Sequence, residues 1–146
     1  MQITLSLILP RDGRSVPVAR HIAGSALREA GVADDCIHDT EVALSEACTN
    51  VLRHSGPGDE YEVSADVDEE MCTIRVIDTG RGFDSELLSG RHAAPSSERG
   101  RGMELMRALV DRAQFVSRPE AGTVVRLEKS LTLRPGSLLE AGPQSQ

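Results

Sequence analysis

Glu46 and Asn50 stand four residues apart in GluAlaCysThrAsn, a spacing that places a carboxylate and an amide oxygen on one helix face, and His54 continues the line. An acid beside an amide oxygen can set a general base next to a magnesium ligand. Mg²⁺ takes hard oxygens, and phosphoryl transfer needs a group near the attacking hydroxyl. The same pair also fits a solvated polar face. Ala43 and Ala47 flank the line as small residues that leave room for a ligand. Asp78 closes the alternating run CysThrIleArgValIleAsp, on the side of Ile74 and Val76 that a strand turns to its core. A carboxylate there needs donors, because burying one unpaired costs several kcal/mol. Gly80 and Gly82 follow at once and let the backbone turn or come close to a bound group; the plainer alternative is an aspartate accepting the amides of its own turn. Arg99-Gly100-Arg101-Gly102-Met103 opens a later helical stretch. Glycines ahead of a helix expose its first amides and positive dipole end to a phosphate, or simply loosen the helix start.

These residues need elements to hold them. Ile3, Leu5, Leu7 and Leu9 alternate with polar positions up to Pro10, which predicts a first strand ending in the ArgAspGlyArg turn at 11–14. Val18, Ile22, Ala26 and Ala30 recur every four residues, predicting a helix from Val16 to Ala30 closed by Gly31. A second helix runs from Cys36 to His54 behind Asp34 and Asp35, with Ile37, Thr40, Leu44, Cys48 and Val51 as its apolar stripe. Residues 61–67 and 72–78 alternate and are joined closely enough for a hairpin. A glycine-rich loop over 79–102 precedes a helix from Met103 to Asp111, and 114–118 with 123–129 form a final hairpin that carries Thr123. Hairpin-joined strands predict an α+β two-layer sandwich, a mostly antiparallel sheet with helices on one face.

Composition removes several classes. The 146 residues suit one domain, and 16 Lys+Arg against 23 Asp+Glu give a net charge of −7, which disfavours direct nucleic-acid binding and an anionic membrane surface. The opening apolar run is polar-interrupted and far short of a membrane span, so a cytoplasmic protein is expected. Cys36, Cys48 and Cys72 are odd in number and lack ligand spacing; they read as reduced core thiols.

The joint order is more specific than any single motif. GluAlaCysThrAsnValLeuArgHisSer at 46–55, ValIleAspThrGlyArgGlyPhe at 76–83 and ArgGlyArgGlyMetGluLeuMet at 99–106 resemble the N, G1 and G2 boxes of the Bergerat ATP-binding fold, shared by gyrase B and sensor histidine kinases. In length and β–α start the chain most resembles the small bacterial anti-sigma factor serine/threonine kinases. The resemblance covers about 3–129, dividing the chain into an ATP-binding domain over 1–129 and a flexible tail over 130–146. It implies ATP and Mg²⁺ as cofactors, Glu46 as catalytic base, Asn50 as metal ligand with His54 in the same pocket, and Asp78 as acceptor for the adenine amino group. Gly80 and Gly82 would shape the adenine side, Gly100, Arg101, Gly102 and Met103 would meet phosphates, and Thr123 would assist at the adenine through water. Arg20 matches the region where relatives touch protein partners. The implied partners are a sigma factor and an anti-anti-sigma factor with a phosphorylatable Ser or Thr. A homodimer is expected as well, since the first strand has an open edge. A nucleotide-gated interaction module with negligible turnover is the alternative. A histidine kinase catalytic domain is disfavoured, because none of His21, His38, His54 or His92 sits in an added helical hairpin.

Overall fold

The computed structural model describes residues 1–54, 58–78, 100–118 and 122–140. Its elements run β1 (Ile3–Pro10), α1 (Ser15–Ala30), α2 (Asp34–His54), β2 (Glu60–Val67), β3 (Met71–Asp78), α3 (Gly100–Leu109), β4 (Arg112–Arg118) and β5 (Gly122–Ser130). The five strands form one sheet in the order β1-β2-β3-β5-β4, with every neighbouring pair antiparallel. Alternation decides the faces. Leu9, Val63, Ala65, Ile74, Val76, Val125 and Leu127 turn to a core shared with Ala23, Leu27, Leu44, Val51 and Met106 of the helices. Ile77, Val116 and Val124 form a separate small cluster on the opposite face. The molecule is thus the expected α+β two-layer sandwich.

The predicted stripe of α2 is its buried face: Ile37, Thr40, Leu44, Cys48 and Val51 are all within 1% of full burial. Ala43 and Ala47 are core residues too, so they pack and leave no space for a ligand. The face of α1 differs from expectation. Val18 and Ile22 are exposed, and the helix buries Ala19, Ala23, Gly24, Leu27 and Ala30, one position further round. Small side chains let α1 lie close on α2, where Gly24 faces Glu41 so tightly that a Cβ would collide with its carboxylate. Gly31 ends α1 at φ 95°, its amide donating to Arg28 and that of Val32 to Leu27, the double closure that a left-handed glycine allows.

Residues 131–140 of the segment expected to be a flexible tail are held. β5 continues through Ser130, and beyond it Ala33 N donates to Thr132 O at 2.8 Å, Arg134 N to Gly31 O at 2.7 Å and Ser137 Oγ to Ala30 O at 2.6 Å. Leu139 is fully buried. Residues 131–140 therefore close the end of the core where α1 passes into α2.

Candidate functional site

Asp78 ends β3 on the helix-facing side and is 0% exposed, as buried as the apolar Val76 before it. Two neighbours give it polar company. The β3–β5 register places Thr123, 1% exposed, directly across from it. From the other side Arg11, in the turn leaving β1, sets Nε 3.1 Å from Asp78 Oδ2 as an ion pair. Arg11 is itself fixed: Nη1 donates to Gly58 O at 2.7 Å and its amide donates to Asp59 O at 2.9 Å. The exit of β1 is so tied to the entry of β2, and a guanidinium reaches the end of β3. Sequence reading placed Arg11 only in a turn. The signal was the buried carboxylate's need for a counter-charge, which a basic residue at the same sheet end supplies once the strand order is known.

A hydroxyl contact attaches α1 above this end. Tyr61 follows the terminal β2–β3 pair Glu62–Ile77, so it lies beside Asp78, and its hydroxyl is 2.6 Å from Ser15 Oγ at the start of α1. Ser15 in turn donates to Asp12 O at 2.7 Å. Burial pushes the Tyr61 hydroxyl and the Cys48 thiol up to about 12, and burial does the same to Cys72. All three cysteines are buried and unbridged, as expected of inert core thiols.

Cys48 is flanked two residues away by Glu46 and Asn50. Asn50 is 3% exposed, whereas Glu46 is half-buried. Arg20 of α1 donates to Ser45 Oγ at 3.3 Å, which brings it beside the residue preceding Glu46. α3 starts at Gly100, three residues earlier than expected, and packs on α2. Lys129 Nζ donates to Leu109 O at 2.8 Å at the α3 C-terminus, near the far end of β5, so the α3 N-terminus points toward the Asp78 end. Gly100, Arg101 and Gly102 form its first turn, and Met103 is a core side chain 1% exposed that can offer a phosphate only its backbone. Gly80 and Gly82 lie outside the described residues, as does the side chain of His54. The structure thus brings Asp78 and Thr123 together and adds Arg11, while Glu46 and Asn50 share their helix face. Among the described residues no three His, Cys, Asp or Glu are gathered as a metal cage. A single amide oxygen still suits Mg²⁺, which prefers one or two protein oxygens together with phosphate and water. No helix among the described residues is long and apolar enough to cross a membrane.

Residues 9–129 match the histidine kinase-like ATPase domain. The serine-protein kinase RsbW of Halalkalibacterium halodurans is 26% identical over 137 residues, 88% of this chain and 83% of its own. The serine-protein kinase RsbW of Bacillus cereus is 28% identical over 123 residues, 77% of this chain and 76% of its own. The crystal structure of the RsbU and RsbW domains of Rv1364c from Mycobacterium tuberculosis has the same fold, with a TM-score of 0.66 at 21% identity over 90% of this chain. This chain spans 34% of that longer one.

Proposed function

Because the chain belongs to the histidine kinase-like ATPase domain family, we propose that it is an ATP-binding anti-sigma factor and protein serine/threonine kinase. In this reading it sequesters a sigma factor and phosphorylates an anti-anti-sigma factor on Ser or Thr. The similarity to serine-protein kinases over most of their length supports kinase activity at the level of the family. The observation that carries the reading for this chain is the buried polar pair at the ends of β3 and β5, Asp78 opposite Thr123, following the apolar Ile74 and Val76 and preceding the apolar Val125 and Leu127 on the core-facing side of the sheet.

Each residue has a physical task. Asp78 would accept a hydrogen bond from the adenine amino group, with Thr123 beside it, and Gly80 and Gly82 would shape the adenine edge. Asn50 would offer its amide oxygen to Mg²⁺, and His54 follows one turn later along α2. Magnesium, when bound with ATP, offsets charge on the phosphate oxygens. The first turn of α3, Gly100 to Met103, would offer its backbone amides to the phosphates, with Arg101 as a further positive charge in that turn. Glu46, half-buried at the helix face, takes the proton from the attacking Ser or Thr hydroxyl. Arg20, bonded to Ser45, marks the face on which a protein partner reaches that base. β1 stands at one edge of the sheet, and pairing of that edge with a second copy gives the homodimer. Such a regulator works in the cytoplasm, where ATP and both partners are found.

The test is single-turnover transfer of labelled phosphate to a cognate anti-anti-sigma factor, beside an ATP titration on the same protein. Glu46→Ala is expected to bind ATP as before and to transfer ~10²–10⁴-fold more slowly. Undiminished transfer removes Glu46 as the base. No transfer from either protein, with ATP binding intact, leaves the nucleotide-gated interaction module.

A further inference from the structure

The ion pair between Arg11 and Asp78 gives the adenine end of the site a component that the sequence motifs do not contain. We propose that Arg11 is a positioning residue that sets base specificity, holding Asp78 as an acceptor-only carboxylate so that the pocket takes a 6-aminopurine and rejects a 6-oxopurine. This rests on the reading that Asp78 receives the base.

Asp78 is 0% exposed, and a carboxylate in such a place keeps its charge only beside a cation or several donors. Arg11 supplies a guanidinium cation, with Nε 3.1 Å from Oδ2. An ionised carboxylate only accepts, so it pairs with an exocyclic amino group and is repelled by a carbonyl oxygen in the same position. A protonated carboxyl both donates and accepts, and would take either base. The guanidinium side chain is 19% exposed and is held by the Gly58 carbonyl at 2.7 Å, which aims it across the end of β2 instead of leaving it to solvent. It approaches from the β1 side while Thr123 stands on the β5 side, so the carboxylate is fixed between two strands.

Two substitutions separate charge from scaffolding. Arg11→Gln keeps an N–H that can donate to the Gly58 carbonyl but has no charge, whereas Arg11→Lys keeps the charge. Calorimetric titration with ATP and with inosine triphosphate, in Mg²⁺, is run on the full chain, on both variants and on Asp78→Asn, with circular dichroism confirming the fold. Arg11→Gln is expected to lose ~10–100-fold in its preference for ATP over inosine triphosphate, the worth of a charge-assisted contact, while Arg11→Lys retains most of it. An unchanged preference in Arg11→Gln overturns the inference and leaves the site reading standing, provided Asp78→Asn has lost ATP. Equal weakening of both nucleotides in both variants also overturns it, since that is the mark of a turn merely loosened. Failure of the wild-type chain to bind ATP, or wild-type affinity in Asp78→Asn, overturns the inference together with the reading beneath it.

Discussion

Where β1 and β3 finish and β5 starts, the described chain buries Asp78, Thr123 and the Tyr61 hydroxyl; where β3 starts and β5 finishes, it buries Cys72, Val32 and Leu139. Both ends are closed, but by different means. At the first, polar groups are taken out of water and held by the Arg11 ion pair and by the Ser15–Tyr61 hydroxyl contact. At the second, apolar side chains fill most of the gap, the buried Ser137 hydroxyl is paired with Ala30 O, and at the surface Asp111 accepts from the Ser130 amide at 2.8 Å and from its hydroxyl. Those two bonds hold the Asp111 carboxyl below its usual value. Buried polar groups are poor sources of stability unless fully paired, whereas a sealed apolar end contributes directly. The difference is the ground for placing the proposed site at the polar end.

Alkaline pH should act on both ends and gives the largest effect on stability. Tyr61, Cys48 and Cys72 keep their protons to about 12 in the folded chain, whereas the unfolded chain releases them at the ordinary values of 10.0 for the tyrosine and 9.0 for the thiols. The unfolded state then binds fewer protons, so stability falls as pH rises through this window and is fully present below it. Denaturant midpoints from about pH 8 to 11 measure this. Cys72→Ala should flatten the slope from the sealed end and Cys48→Ala from the other. An unchanged slope in both would contradict the assignment to these thiols.

Leu139→Ala comes next, with an expected loss of ~2–5 kcal/mol, the usual cost of truncating a fully buried leucine. Its ATP affinity should stay as in the wild type, because the lesion lies at the sealed end. Urea unfolding beside an ATP titration separates the two, and a drop in affinity would break the division between ends. The smallest effect belongs to Asn50→Ala, which should weaken binding of Mg·ATP more than binding of ATP in EDTA. Equal losses in both would give Asn50 a structural role only.

Much of this was legible in the residues. The strand alternation ending at Asp78 put that carboxylate on the helix-facing side, and the spacing of Ile37 to Val51 identified the buried face of α2. The face of α1 was not legible, because its packing is carried by Ala19, Ala23 and Gly24, small residues that weigh less than the exposed Val18 and Ile22 in any count of apolar positions. Residues 131–140 read as a tail for a similar reason. One buried Leu139 and several backbone hydrogen bonds hold a polar stretch whose composition carries no period. Arg11 was out of reach because its meeting with Asp78 depends on β2 lying between β1 and β3, a long-range pairing that local pattern does not encode.

The central claim is that the polar end of the sheet is the ATP site, and titration of Asp78→Asn with ATP tests it most directly. An amide presents an N–H₂ where the adenine amino group requires an acceptor, or must turn over and set its donor against Arg11. The substitution is therefore expected to abolish ATP binding while far-ultraviolet circular dichroism stays as in the wild type. Wild-type ATP affinity in a folded Asp78→Asn protein would contradict the account.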